Sequence, residues 1–342
     1  RCILSWDKDI HYPVLKSRND NILNEKFPEI IKYCESIYDK IAPHLPLILD
    51  GEVVYLKNDF QSEFSIVQKR GRMNNPQTIN SNADTFPCHY ITFDILQYKG
   101  KPKLNSQLTT RKQMLTKFFD SINHPTTVSY IDERRLQAID AVEDSDLIWE
   151  RVKTHNGEGV IAKKKTSKWV EGTRSTSWLK IKNWKYVDVI LTKFDKSNGF
   201  FAGAIYKEDN LLEIVSFKHG LKEEENKTLT TFFKTYGTSL GNEVSEIPPS
   251  ICVSIACIDF DGSKLREPRF HSFQHTINPD ECSWNNMQRQ LNPIPENVVV
   301  THPDKPVFPV NAIIKDDYLL YLQKVAPFMM PFLKDRLLTV IR

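Results

Sequence analysis

The stretch at 158–182 reads EGVIAKKKTSKWVEGTRSTSWLKIK. A carboxylate, Glu158, opens an apolar, strand-like run, Gly159-Val160-Ile161-Ala162. A second run ends with Lys180 and Lys182, one residue apart. Side chains alternate faces along a strand, so Lys180 and Lys182 point the same way, and Leu179 and Ile181 are expected to face a core. Two ammonium groups side by side repel unless a polyanion lies between them. An acid near the same pocket suits a divalent metal on that polyanion. The pattern points to a nucleoside triphosphate whose charge is shared between lysines and a metal. A solvated basic strand would account for the charge equally well.

Composition bounds the alternatives. A chain of 342 residues is long enough for two or three domains with sizeable cores. Net charge is only +3, yet residues 151–196 hold 12 Lys and Arg against 4 Asp and Glu, an excess of +8 that leaves −5 for the remainder. A local basic region on a near-neutral chain is the footprint of a phosphate or nucleic-acid surface. No apolar run approaches the ~18 residues of a membrane span, and no signal peptide is recognisable. Cys2, Cys34, Cys88, Cys252, Cys257 and Cys282 form no metal-binding pattern, so reduced, buried thiols in a cytosol are expected. Cys252 and Cys257 are expected on opposite faces of one strand. The chain starts abruptly at Arg1 and ends on an apolar run, as a piece of a longer protein would.

Residues 1–185 mix short strands, at 47–49, 53–55 and 90–93, with two helices. One begins at Pro28 with Ile30, Cys34, Ile37 and Ile41 on one face. The other covers about 111–121. Strand-like runs follow at 187–194, 199–206 and 211–217. A helix at about 222–236 has Leu229, Phe232, Phe233 and Tyr236 on one stripe. Two further strands lie at 251–260 and 269–273. Three strands, a helix and two strands is the order of an OB-fold, a small barrel much used on nucleic acids. Residues 289–300 read as a linker, with Pro293 and Pro295 among polar residues. A new unit begins near Val298, with a helix at 315–328 and a strand at 337–341.

Singly, the polar motifs are weak. Asp50 and Glu52 flank Gly51 and suit a solvated strand end. Phe93 suits a core, the turn at 17–19 any surface, and Arg266 and Arg269 a hairpin. Their order is specific: SRN at 17–19, LDGE at 49–52, FDIL at 93–96, EGVIAK at 158–163, WLKIK at 178–182, then LREPRF at 265–270. Over about residues 1–285 this resembles the covalent nucleotidyltransferase superfamily, and within it the ATP-dependent DNA ligases. The tail, THPDKPVFP at 301–309 and KVAPFMMPFLKDRLLTVIR at 324–342, looks like the opening of the polymerase domain of bacterial ligase D.

The resemblance implies an α+β chain. An N-terminally truncated nucleotidyltransferase (adenylation) domain at 1–185 would precede an OB-fold β-barrel at 186–288. An incomplete α/β polymerase-domain start would occupy 298–342. It implies sealing of DNA breaks or nicks through ligase–AMP and DNA–AMP intermediates, in non-homologous end joining. The cofactors would be ATP with Mg or Mn, and the partners broken or nicked double-stranded DNA and the Ku end-binding protein, in a bacterial cytoplasm or nucleoid. Arg1 and Arg18 would contact the nucleotide sugar or phosphate, and Phe93 would stack on adenine. Glu52 would hold the ribose or a metal, and Glu158 would sit by the metal. Lys180 and Lys182 would neutralise the phosphates, with Arg174 helping. Arg266 and Pro268 fit the OB-domain motif, with Arg269 beside them, but no R-x-D-K follows.

The largest departure concerns the nucleophilic lysine of the family's K-x-D-G-x-R motif. Only its final arginine is matched, by Arg1, so the lysine would lie upstream and the chain as written should not adenylate itself. Two other readings stay open: a non-catalytic DNA-binding fragment, and an RNA ligase or mRNA-capping enzyme of the same superfamily.

Overall fold

The strands of the first unit are apolar runs interrupted by single polar residues. A computed structural model of the chain describes residues 1–172, 175–241, 243–295, 298–311, 313–333, 335–337 and 339. The chain divides into two compact units, Arg1–Ile181 and Lys182–Arg342.

The first unit is built on a six-stranded sheet in the order β2-β1-β3-β4-β5. Its strands are β1 (Cys2–Trp6), β2 (Val14–Ser17), β3 (Leu47–Val54), β4 (His89–Tyr98) and β5 (Lys101–Pro102), with β6 (Leu136–Ala138) pairing in parallel with β4. A separate two-stranded sheet joins β7 (Gly159–Lys163) to β8 (Trp178–Lys182). Helices α1 (Pro28–Ser36), α2 (Tyr38–Ile41), α3 (Phe64–Gly71), α4 (Pro76–Thr85), α5 (Leu108–Ser121) and α6 (Ser145–Thr154) complete it. Leu4, Trp6, Leu49, Tyr90, Phe118 and Phe119 form the fully buried centre. Ile30, Cys34, Ile37 and Ile41 are all buried as their spacing implies, but the helix breaks at Ile37, whose φ of −110° leaves the α region. Helix α5 starts three residues earlier than its periodicity suggests.

The expected core-facing Leu179 and Ile181 are instead 57% and 47% exposed. Among the described residues strand β8 pairs with β7 alone, and the two form a sheet of their own. Helices α3, α4 and α6 escape the periodicity reading because their polar content dilutes the apolar stripe. Their starts are nevertheless encoded: Asn75 accepts a hydrogen bond from Thr78 N ahead of Pro76, and Asp144 accepts from the amides of Asp146 and Leu147.

The second unit carries a seven-stranded sheet. It comprises β9 (Lys185–Asp195), β10 (Phe200–Lys207), β11 (Asn210–Phe217), β12 (Thr238–Leu240), β13 (Val244–Glu246), β14 (Cys252–Cys257) and β15 (Arg269–Gln274). Strand β9 is its hub and pairs with β10, β13 and β14. Helix α7 (Glu223–Tyr236) follows β11 and buries Leu229 and Phe233, whereas Tyr236 lies outside the apolar stripe and is exposed. The short β12–β13 hairpin is an addition to the three-strand, helix, two-strand order. Every residue of β14, Cys252 and Cys257 included, is buried, and all six cysteines are free. Part of the expected linker is helical: α8 (Trp284–Leu291) is capped by Ser283, which accepts from Asn286 N. Beyond it lie β16 (Pro306–Phe308), β17 (Ile313–Ile314) and α9 (Lys315–Leu333), five residues longer than expected. Of the strand expected at 337–341, Leu338, Val340 and Ile341 lie outside the described residues.

Gly51 has a packing reason. A Cβ there would lie 2.6 Å from Ile91 O and 2.6 Å from the ring of Tyr90, whose hydroxyl donates to the carbonyls of Cys2 and Leu49. Gly51→Ala must shift backbone and should cost about 1–3 kcal/mol. Gly71→Ala, with open space around its Cβ, should change stability by less than ~1 kcal/mol. Urea unfolding of both variants checks this; equal midpoints would contradict the packing role of Gly51.

Candidate active site

Two carboxylates face each other across the middle of the first unit's sheet. The β3–β4 ladder shifts at Asp50/Gly51, so Asp50 stands opposite Asp94 and Gly51 opposite Thr92. Phe93 is the residue the shift skips. Such a bulge re-aims a side chain, and bulges gather near functional sites. Asp50 and Asp94 are both fully buried. Two bare carboxylates there would be prohibitive, and each is answered by a guanidinium fork. Arg1 donates from Nε to Asp50 Oδ1 at 2.9 Å and from Nη2 to Oδ2. Arg111 donates from Nε and Nη2 to Asp94 at 2.8 Å each. Trp169 Nε1 also donates to Asp50, at 3.1 Å. The hydrogen bond to Asp50 raises the Arg1 guanidinium above its ordinary pKa, against burial.

Arg111 does a second job. Its Nη1 donates to Ser106 O at 2.6 Å and to Ser167 O at 3.3 Å. Leu108 N and Thr109 N donate to Ser167 O and Lys165 O. The start of α5 is thereby stitched to the segment between β7 and β8, which places β7 and Trp169 beside the two aspartates.

An aromatic pair completes the cluster. Phe93 and Trp178 meet edge-on with centroids 6.2 Å apart. Lys163 Nζ lies 4.6 Å from the Phe93 centroid and 3.9 Å from that of Trp178. The Arg1 guanidinium lies 5.7 Å from each. Cations over ring faces are attracted by the ring quadrupole. Burial pushes the Lys163 amine down from 10.5 to about 8, with Asp94 raising it and Lys112 lowering it.

The sequence-predicted residues therefore separate. Arg1 and Phe93 meet in this cluster. Glu52 lies two residues beyond Asp50 on the same face of β3, nearer the strand end, and is exposed. Lys180 is exposed on the β8 face it shares with Trp178. Glu158 is exposed immediately before β7, and Arg18 is exposed in the turn after β2. Arg174 lies outside the described residues. In the second unit, Lys182 is ion-paired with Glu267 and sits 4.7 Å over the Trp184 ring, with the Arg269 guanidinium 5.7 Å from the same ring. Arg266 is half-buried, and its amide donates to Asp259 O. Asp94, Arg111, Lys163, Trp169 and Trp178 escaped the sequence reading of the site. The signal for Asp94 was present: a carboxylate inside an apolar strand is almost never buried unpaired.

Lys163 gives this site a pH signature. In the unfolded chain its amine holds its proton up to 10.5, whereas in the folded chain it releases it near 8. Between those values the unfolded chain binds more protons, so this group's contribution to stability rises with pH. Below pH 8 its burial is a full cost. Between pH 7.5 and 10.5 the stability difference between wild type and Lys163→Met should move toward the wild type by about 1–3 kcal/mol. Thermal or urea unfolding of the two proteins across that range checks it; parallel pH profiles would contradict the burial of the ammonium.

The sequence profile of the ATP dependent DNA ligase domain matches residues 5–182. The chain is 33% identical over 344 residues to the bifunctional non-homologous end joining protein LigD of Bacillus subtilis (strain 168), a match covering 100% of this chain and 56% of that protein. It is 27% identical over 267 residues to a probable DNA ligase of Koribacter versatilis (strain Ellin345), covering 70% of this chain and 45% of that one. The solved structure described as Pmar-Lig_PreS3 shares the fold, with a TM-score of 0.54 at 16% identity, covering 80% of this chain and 60% of that chain. The chain spans about half the length of the curated relatives it matches. With more than half of its residues under that profile, the chain belongs to the ATP-dependent DNA ligase domain family.

Proposed function

We propose that this chain carries the nucleotide site and DNA-binding surface of an ATP-dependent ligase that seals DNA breaks or nicks in non-homologous end joining. The observation that carries the reading is the cluster of Arg1, Asp50, Phe93 and Trp178, set in a domain of the ligase family. In this reading residues 1–185 form the adenylation domain, 186–288 an OB-fold and 298–342 the start of a polymerase domain.

The chemistry has three steps. A lysine attacks the α-phosphorus of ATP and expels pyrophosphate, leaving a lysyl–AMP phosphoramide. The 5′-phosphate of the DNA attacks that phosphorus and frees the lysine. A 3′-hydroxyl then attacks the DNA 5′-phosphate, expels AMP and loses its proton. Protein groups contribute charge stabilisation to each displacement. Arg1, held rigid by its Asp50 fork, and Arg18 address sugar and phosphate. Phe93 offers a ring to the base. Lys180 and Lys182 meet phosphate charge, with Arg174 as a helper. Arg266 and Arg269 carry the motif of the OB-fold domain.

Mg or Mn would be held by Glu52 and Glu158, whose hard oxygens suit such an ion. Among the described residues no group of three or more His, Cys, Asp or Glu could hold a metal. A Mg site of one or two carboxylates completed by substrate phosphates fits that donor set. Bound there, the ion would polarise phosphoryl oxygens.

No K-x-D-G occurs in these 342 residues, whereas the last step needs no lysine. The 342-residue chain should therefore fail to take label from radioactive ATP and should seal a pre-adenylated nick slowly. Covalent labelling would mean that another lysine serves and that Arg1 does not end the motif. DNA binding should also weaken steeply with salt, because phosphate contacts release counterions: about 10-fold or more between 50 and 200 mM salt. A binding constant flat over that range would count against the DNA surface.

A further inference from the structure

The outer face of the second unit's sheet carries rings that its core does not use. Val187 and Val189 of β9 are fully buried, whereas Tyr186, on the opposite face, is 45% exposed. Tyr186 stands opposite Ala256 on β14, and Ala256 stands opposite Arg269 on β15. The β14–β15 ladder shifts between Ser254 and Ile255, which leaves His271 without a partner on β14. The exposed His271 ring meets that of Tyr186, with centroids 4.4 Å apart and planes tilted by 47°. Strand β14 runs between their strands, but Ala256 in that row brings only a methyl group. Among the described residues neither the Tyr186 hydroxyl nor the His271 ring has a hydrogen-bond partner. The two rings are therefore held by their mutual contact and leave ring surface open to solvent. Cations flank them. The half-buried ring of Trp184, just ahead of β9, lies 5.7 Å from the Arg269 guanidinium and 4.7 Å from Lys182 Nζ. Lys182 is paired with Glu267, whereas among the described residues Arg269 meets no carboxylate. Exposed rings beside an unpaired cation suit a nucleic-acid strand, because every base offers a π-face and every link a phosphate. A duplex keeps its base faces within the stack, so rings such as these find a face only where bases are unpaired.

We propose that Tyr186 and His271, with Trp184 and Arg269 beside them, form a platform for the unpaired bases of a single DNA strand, such as the overhang of a broken end. This rests on the DNA-binding reading above and names the strand state that this face takes. Tyr186 and His271 stack on bases, and Arg269 meets the phosphate between them. Because stacking tolerates any base, the platform reads single-strandedness rather than sequence.

The test is fluorescence anisotropy at fixed salt with three labelled probes: a short oligothymidylate, an abasic strand of equal length, and a blunt hairpin duplex. The proteins are the 342-residue chain and its Tyr186→Ala and Tyr186→Phe variants, with thermal unfolding to verify that each folds. The wild type should prefer the oligothymidylate to the abasic strand by about 10-fold. Tyr186→Ala should weaken the oligothymidylate about 10-fold and leave the abasic strand and the hairpin within about twofold. Tyr186→Phe keeps the ring and should keep the wild-type affinities. Equal wild-type affinity for the oligothymidylate and the abasic strand would overturn the proposal. So would a Tyr186→Ala variant that loses stability but binds the oligothymidylate as before, since the ring pair would then only staple the strands. Equal losses on the hairpin and the oligothymidylate would overturn it too, by making this an ordinary duplex surface. A wild type that binds the hairpin and not the oligothymidylate sinks this inference alone; one that binds no probe sinks the DNA-binding reading with it.

Discussion

Two aspartates facing each other inside a sheet set the terms for the first unit. Asp50 and Asp94 are fully buried on adjacent strands. At that separation and burial two uncompensated negative charges would unfold the domain or force a proton onto one of them. The fold instead brings one guanidinium from the edge of β1 and one from α5. Each fork fixes more than charge. Arg1 is pinned where its outer face meets two aromatic rings, and Arg111 holds the segment between β7 and β8. The cluster's geometry is thus a by-product of solving an electrostatic problem in the core. Arg1 is the member that a strand-by-strand account of the core would have left out.

Much of the architecture was legible because its signals are short-range. Apolar runs located the principal strands of both units, and the Pro28 start and the Ile30–Cys34 spacing located α1. The LDGE and FDIL motifs lie far apart in sequence, yet their importance lies in register: a β4 bulge at Phe93, opposite Asp50 and Gly51, that no periodicity announces. It sets Asp50 against Asp94 and leaves Phe93 without a partner on β3. Lys163 went unnoticed because its neighbours in sequence are two more lysines, and only the fold distinguishes the one that meets aromatic rings. The reversal at Leu179 and Ile181 has the same origin. Alternation along a strand is fixed locally, but which face is covered depends on what else packs there, and a two-stranded sheet leaves both faces sparsely covered.

In the second unit the corresponding lesson is hub connectivity. Strand β9 pairs with three partners, so its inward residues Val187, Val189 and Leu191 sit at the heart of the core. At the start of this unit Lys182, Trp184, Glu267 and Arg269 form a charged and aromatic group. The motif LREPRF therefore contributes a carboxylate partner for a motif lysine as well as cations. That pairing gives Lys182 a different electrostatic setting from Lys180, although one strand carries both.

The central claim is that the Phe93–Trp178 pair receives the base of a nucleotide. Photo-crosslinking with 8-azido-AMP, followed by peptide mapping, tests it most directly, because the reactive group sits on the purine itself. The account predicts saturable labelling, competed by unmodified AMP, on peptides containing Phe93 or Trp178. Saturable labelling confined to residues 182–342, or labelling that AMP does not compete, would contradict it.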